Sequence, residues 1–273
     1  MFSCMAPWNI GIKQPWEQCL ELAVAGGFEG IDPVLDATRG GDYYREQYNK
    51  WGLKVGGTSL PVDFRGEEQQ YERQLAALPA FADLARQVGI SRVYMWVMSF
   101  HDTMDYATNL AFHVERLTPC ARVLCDHGIR LGLEFLGPRS LRVGHRYPFI
   151  RTMEQMLDMC RMIGPNCGLL LDLWHWYTSL GTVQDIEALT NGQVVYVHVN
   201  DAPAAVNVDQ QADQVRCLPG STGVIDTAGF MGALRKIGYD GPLVPEPFDR
   251  QLSQMPPQEA ARMAGESMRK ILQ

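Results

Sequence analysis

At 273 residues, with 46% hydrophobic and 20% charged residues, the chain has the size of one α/β barrel of ~250 residues and enough apolar mass for a packed core. A formal charge of −7 argues against the broad basic footprint of a nucleic-acid binder, and no run approaches the ~20 uninterrupted apolar residues of a membrane span. The seven cysteines are odd in number, scattered and without a C-x-x-C pair, so they read as reduced thiols in or near the core.

The start, MFSCMAPW, lacks the cationic segment and apolar run of a secretory signal, and a cytoplasmic location is expected. A first strand is predicted over 2–5, followed by a helix with Trp16, Cys19, Leu20, Ala23 and Val24 on one face. Gly27-Phe28 then closes the helix before a strand over 30–34, and a further strand is predicted over 54–59. Leu75, Leu78, Ala82, Ala85 and Val88 mark another helix, with Pro79 inside it and Pro119 inside the next, each expected to kink or interrupt its helix. The glycine-plus-apolar punctuation returns at Gly89-Ile90, Gly128-Ile129 and Gly238-Tyr239, and strands are predicted over 92–98, 130–136, 168–175, 194–200 and 242–248. Eight strands alternating with helices predict a parallel sheet closed into a single (β/α)8 TIM barrel over residues 1–273, with no composition break to divide it.

In such a barrel the chemistry stands at the C-terminal ends of the strands. The last four predicted strands end in Glu134, Asp172, His198 and Glu246. Carboxylates inside apolar strands are costly to bury alone, so several at one mouth imply a shared cation or shared protons. Three carboxylates and an imidazole form a mostly hard donor set that suits Mn²⁺ or Mg²⁺ and tolerates Co²⁺ or Zn²⁺; one ion, Mn²⁺ by preference, is expected.

The segments EFLGP, DLWHWY, HVNDAP, RCLPGSTGVID and GYDGPLVPEPF resemble those of the xylose-isomerase-like TIM-barrel superfamily. They are most similar to its branch of sugar and sugar-phosphate isomerases and epimerases, which includes tagatose 3-epimerase, inosose isomerase and inosose dehydratase. The resemblance covers about residues 130–250, and the N-terminal half shares only the strand–helix rhythm. It implies that Glu134, Asp172, His198 and Glu246 ligate the metal, and that Glu134 and Glu246 also act as acid and base on opposite faces of the substrate. His175 matches the histidine of the D-x-x-H pattern that touches substrate oxygen, and Arg216 matches the R-x-L-P-G arginine that would stabilise oxyanion charge. Asn200 and Asp201 either hold the metal ligand or only turn the chain.

Related three-metal DNA-repair endonucleases need further histidines, whereas this chain offers Asp32, Thr58 and Arg216, so a trinuclear phosphodiesterase site is not expected. The run SLPVDFRGEE and the cluster Arg139, Arg142, His145, Arg146 and Arg151 match no fixed family feature. Trp8, Trp96, Trp174 and Trp176 lie on or beside strands, and at least two are expected in the core. The implied function is metal-dependent isomerisation or epimerisation of a ketose or inosose through an enediolate. A lyase acting on a keto-inositol or 3-keto-glycoside shares the first step, and a non-catalytic sugar-binding barrel is the alternative of another class. The expected partner is a small carbohydrate, with no nucleic acid and no membrane; a homo-oligomer or a partner subunit is left open.

Overall fold

The computed structural model describes residues 1–273. The chain runs β1 (Phe2–Met5), α1 (Trp16–Gly26), β2 (Gly30–Ile31), α2 (Gly41–Trp51), β3 (Lys54–Val55) and β4 (Thr58–Ser59). It continues through α3 (Glu68–Val88), β5 (Arg92–Val97), β6 (Phe100–His101), α4 (Tyr106–Asp126), β7 (Arg130–Phe135) and β8 (Tyr147–Pro148). Next come α5 (Met153–Ile163), β9 (Cys167–Asp172), α6 (Leu173–Thr178), α7 (Val183–Glu187) and β10 (Val194–Val199). The remainder is α8 (Thr227–Lys236), β11 (Pro242–Pro245) and α9 (Pro257–Leu272). No helix is long and apolar enough to cross a membrane.

The main sheet has the parallel order β3-β2-β1-β11-β10-β9-β7-β5-β4. β3 and β4 are two pieces of the predicted strand over 54–59: the first pairs with β2, the second with β5, and together they close the barrel. The break falls at Gly56-Gly57 for a steric reason. A Cβ on Gly56 would lie 2.0 Å from Asp32 Oδ1, and one on Gly57 would lie 2.6 Å from the Tyr196 ring. The strand gives way so that a buried carboxylate can be solvated by protein. Asp32 accepts from Tyr196 Oη, from Tyr94 Oη at 3.0 Å, from Gly57 N–H at 2.9 Å and from Cys4 Sγ at 3.5 Å.

All four glycine punctuation marks are helix ends of one kind. Gly27, Gly89, Gly128 and Gly238 have φ of +79°, +96°, +70° and +73°, a region open to glycine at little cost. The residue after each one, Phe28, Ile90, Ile129 or Tyr239, donates its N–H to a carbonyl five residues back at 2.9 Å and is itself buried. This is the Schellman arrangement, which returns the chain onto the barrel. Gly52-Leu53 forms a fifth.

Two expectations are corrected. Neither Pro79 nor Pro119 interrupts its helix: α3 and α4 each run 21 residues through the proline. Each ring removes a single backbone bond, and the turns on either side, packed on the barrel, carry the helix on. The strand predicted over 168–175 stops at Asp172, because Asp172 accepts the His175 N–H at 2.8 Å and so caps α6.

Candidate metal centre

The four charged strand-end residues meet at the mouth. Glu134 is next to last in β7, Asp172 ends β9, His198 is next to last in β10 and faces Asp172 in register, and Glu246 follows β11. All four are buried, and one donor atom from each lies within 4.8 Å of the others. In sheet order Asp172 and His198 stand on the inner two strands of this arc, with Glu134 and Glu246 on the outer two.

His198 Nδ1 lies 3.4 Å from Glu134 Oε1, 3.9 Å from Asp172 Oδ2 and 3.3 Å from Glu246 Oε2. Neither His198 ring nitrogen has a hydrogen-bond partner, and buried Glu134 Oε1 has none. Orphaned buried donors and acceptors are costly, and oxygens converging on a bare imidazole nitrogen are what a divalent cation would satisfy. The residues therefore fit a metal ion.

Electrostatics agree with that fit. Burial pushes the Glu134 carboxyl up to about 7, with Glu246 and Asp172 adding to the rise against the pull of His198. Burial raises Asp172 as well, opposed by Arg216. Burial alone would lower His198, yet Glu246 and Glu134 hold it well above the usual imidazole value. Glu246 is raised by burial but carried below its ordinary value by His198 and Arg216. Three carboxylates thus compete for too little positive charge, which a dication would supply.

Arg216, predicted on a loop, is buried. Its Nη1 donates to Glu246 Oε2 at 2.8 Å and to Asp172 Oδ2 at 3.1 Å, while Nε and Nη2 are anchored on Asp213 at 3.0 and 2.8 Å. Trp174 and Phe248 sandwich the guanidinium, with ring centroids 4.7 and 4.6 Å from it. His175 is also buried, and its Nδ1 accepts the Gly137 N–H at 3.2 Å. Burial, then Arg216 and His198, depresses its pKa, so the ring is neutral. Both ring nitrogens face donors, the Gly137 N–H at Nδ1 and Arg216 Nη2 at 3.1 Å from Nε2, and a neutral imidazole accepts from only one of them.

Asn200 and Asp201 take different roles. Asn200 Nδ2 donates to Asp172 Oδ2 at 2.9 Å and so holds a candidate ligand. Asp201 instead accepts the N–H groups of Ala202, Thr222, Gly223 and Ile225 and bridges Cys217, which fixes the loop carrying Arg216. Trp174 and Trp176 are in the core, while Trp8 and Trp96 are 66% and 40% exposed.

A cavity of about 320 Å³ opens above the candidate ligands, walled by Trp96, Met98, Leu141 and Phe248. That is the small end of the ~300–1,000 Å³ typical of small-molecule sites and suits one sugar-sized molecule. Asp213 and Phe248 carry no role in the sequence reading. The signals were there: Asp213 stands three residues before Arg216, and Phe248 closes the EPF segment. Phe248 has φ +42°, a strained backbone that accompanies its ring's place over the guanidinium.

Over 237 residues the chain is 28% identical to the 3-dehydroshikimate dehydratase of Pseudomonas aeruginosa, covering 84% of this chain but only 36% of that protein's length. It is 24% identical over 207 residues to the inosose isomerase of Bacillus velezensis, covering 76% of this chain and 71% of that protein. The solved structure of a xylose isomerase domain protein from Alicyclobacillus acidocaldarius subsp. acidocaldarius superposes with a TM-score of 0.88 at 27% identity, over 100% of this chain and 98% of the other. The family described as xylose isomerase-like TIM barrel matches residues 20–271, and the chain belongs to that family.

Proposed function

We propose that this protein is a divalent-metal-dependent enzyme that isomerises or epimerises a small sugar-like carbonyl compound by moving a proton at the carbon beside the carbonyl. The observation that carries the reading is the arc of four candidate ligands, with a glutamate at each end and an imidazole nitrogen and a carboxylate oxygen left without partners. Glu134, Asp172, His198 and Glu246 would hold the ion, with Mn²⁺ the best match to three oxygens and one nitrogen. When bound, the ion polarises the carbonyl and acidifies the neighbouring C–H.

The remaining work falls to the chain. Glu134 and Glu246 stand on either side of the inner pair, so one removes the proton and the other returns it from the opposite face. His175 lines the pocket beside Arg216 and is placed to hydrogen-bond a substrate hydroxyl. Arg216, immobilised by Asp213, Trp174 and Phe248, brings a fixed positive charge to the oxygen that becomes negative. Trp96, Met98 and Phe248 exclude water from the reacting carbon.

The likeness to a dehydratase favours one second reading: with a leaving group at the β position, the same proton removal ends in elimination. NMR in D₂O with Mn²⁺ and a panel of ketoses, inososes and 3-keto-glycosides, with D-fructuronate and D-fructose 6-phosphate included, separates the readings. Deuterium at the carbon beside the carbonyl, without a new double bond, is expected. Glu134→Gln and Glu246→Gln should each slow exchange by about 10²–10⁴-fold. An unsaturated product would establish the lyase. The absence of any exchange across the panel by metal-loaded protein would overturn the catalytic reading in favour of a binding role.

A further inference from the structure

A second cavity, of about 400 Å³, lies beside the metal pocket on the same face of the barrel. Met98 lines both cavities, and Trp96, in the wall of the metal pocket, carries the Arg65 guanidinium 3.8 Å from its ring centroid. The floor comes from the start of α4, where Asn109 and His113 are 1% and 4% exposed. Arg65 belongs to the SLPVDFRGEE run that the candidate metal centre does not use.

Three polar atoms around this cavity are buried and have no partner: Arg65 Nη1, Asn109 Oδ1 and His113 Nε2. Each keeps the cost of leaving water with no bond to offset it, and three around one cavity point to a ligand. Their chemistry is specific. His113 Nδ1 is held by the Asn109 carbonyl at 2.8 Å, which places the ring proton there and leaves Nε2 a bare acceptor. Burial lowers the pKa of this ring to about 4, so it stays neutral. Rings of Phe64, Phe112 and Phe149 pack around it and fix its plane. Arg65 is a cation whose Nη1 amino group has no partner; its Nε lies 3.6 Å from Asp63 Oδ1 and its Nη2 rests on Met95 sulfur at 3.9 Å. Asp102, at the rim, is already engaged by His145 and the Arg146 N–H.

We propose that this cavity is the distal subsite of the metal pocket: an anionic group at the far end of the substrate, carboxylate or phosphate, pairs with Arg65, and neighbouring hydroxyls donate to Asn109 Oδ1 and His113 Nε2. The inference deepens the reading of a sugar-like carbonyl substrate and rests on it. With the carbonyl end at the metal, Met98 and Trp96 line the passage along which the chain of the substrate extends. The substrate class is then an acidic sugar or a sugar phosphate, not a neutral sugar.

The test uses three probes that differ only at the terminal carbon: D-fructose, D-fructuronate and D-fructose 6-phosphate, titrated into Mn²⁺-loaded protein by calorimetry. One of the two anions should bind at least ten times more tightly than D-fructose, and which one does so identifies the group. Arg65→Met should weaken that anion by about 10–100-fold, the loss expected of a charge-assisted bond, and weaken D-fructose far less. Arg65→Lys should keep part of the preference, which guards against a folding defect in the first variant. Equal binding of all three, failure of all three to bind, or a preference that survives Arg65→Met overturns the proposal. Deuterium exchange without any Arg65-dependent preference would remove the subsite and leave the proposed reaction standing. Arg65-dependent anion binding without exchange would do the reverse.

Discussion

Asp172 is held from three directions before any ion arrives. It accepts from the His175 N–H, from Asn200 Nδ2 and from Arg216 Nη1, at 2.8, 2.9 and 3.1 Å. Asp172→Asn and His198→Ala should both abolish stoichiometric Mn²⁺ binding, read by elemental analysis after reconstitution, since each removes a proposed ligand. Asn200→Ala, which only frees a ligand to wander, should weaken binding by about 10–100-fold in a titration, and unchanged affinity would reduce Asn200 to a chain-turning residue. Arg216→Ala should lower turnover by about 10²–10³-fold. His113 offers a separate pH test. Its folded pKa, about 4, lies below the ordinary imidazole value of 6.5, so the folded chain binds fewer protons than the unfolded chain between those pH values. Stability from this group is therefore fully present above about pH 6.5 and is lost as pH falls toward 4, by an amount on the order of 3 kcal/mol. Urea unfolding of wild type and His113→Phe across that range should show a shallower acid loss in the variant. Parallel curves would contradict the assignment.

At the scale of elements, the same residue type serves two different ends. Gly128 closes α4 at φ +70° with open space where a side chain would go, so Gly128→Ala meets only the left-handed backbone penalty of about 1–2 kcal/mol. Gly56 has its difficulty in space: an added Cβ would meet Asp32 Oδ1 at 2.0 Å and Cys4 Sγ at 2.6 Å. Gly56→Ala must push apart the Asp32, Tyr94 and Tyr196 network and should cost about 3 kcal/mol or more by chemical denaturation, combining overpacking with a damaged buried carboxylate. Similar costs for the two variants would argue that the break between β3 and β4 has another origin. Because Tyr196 precedes His198 by two residues on β10, both side chains point into the barrel, and the network supports the floor under the candidate metal centre.

For the molecule as a whole, the metal reading predicts a stability linkage. An ion bound only by the folded state stabilises it by about 2.7 kcal/mol at a hundred times its dissociation constant. Mn²⁺ should therefore raise the melting temperature of the wild type in proportion to the logarithm of its concentration and leave Asp172→Asn almost unmoved. An equal shift in both proteins would mean binding elsewhere.

What the sequence by itself determined is what repeats or stands in place along the chain. Glycine followed by an apolar residue marked four helix ends because the Schellman turn needs a left-handed residue and a buried one in that order. Glu134, Asp172, His198 and Glu246 were legible because charge inside an apolar strand is anomalous wherever the strand lies. The tertiary structure alone decided which side chains from distant loops converge. Arg216 reads as a loop residue until Asp201 fastens its loop and Asp213, Trp174 and Phe248 immobilise it over the carboxylates. Likewise, Arg65, Met98 and His113 come from three separate segments whose meeting leaves no periodic trace, because a cavity is set by the gaps between elements and not by the pattern within any one of them.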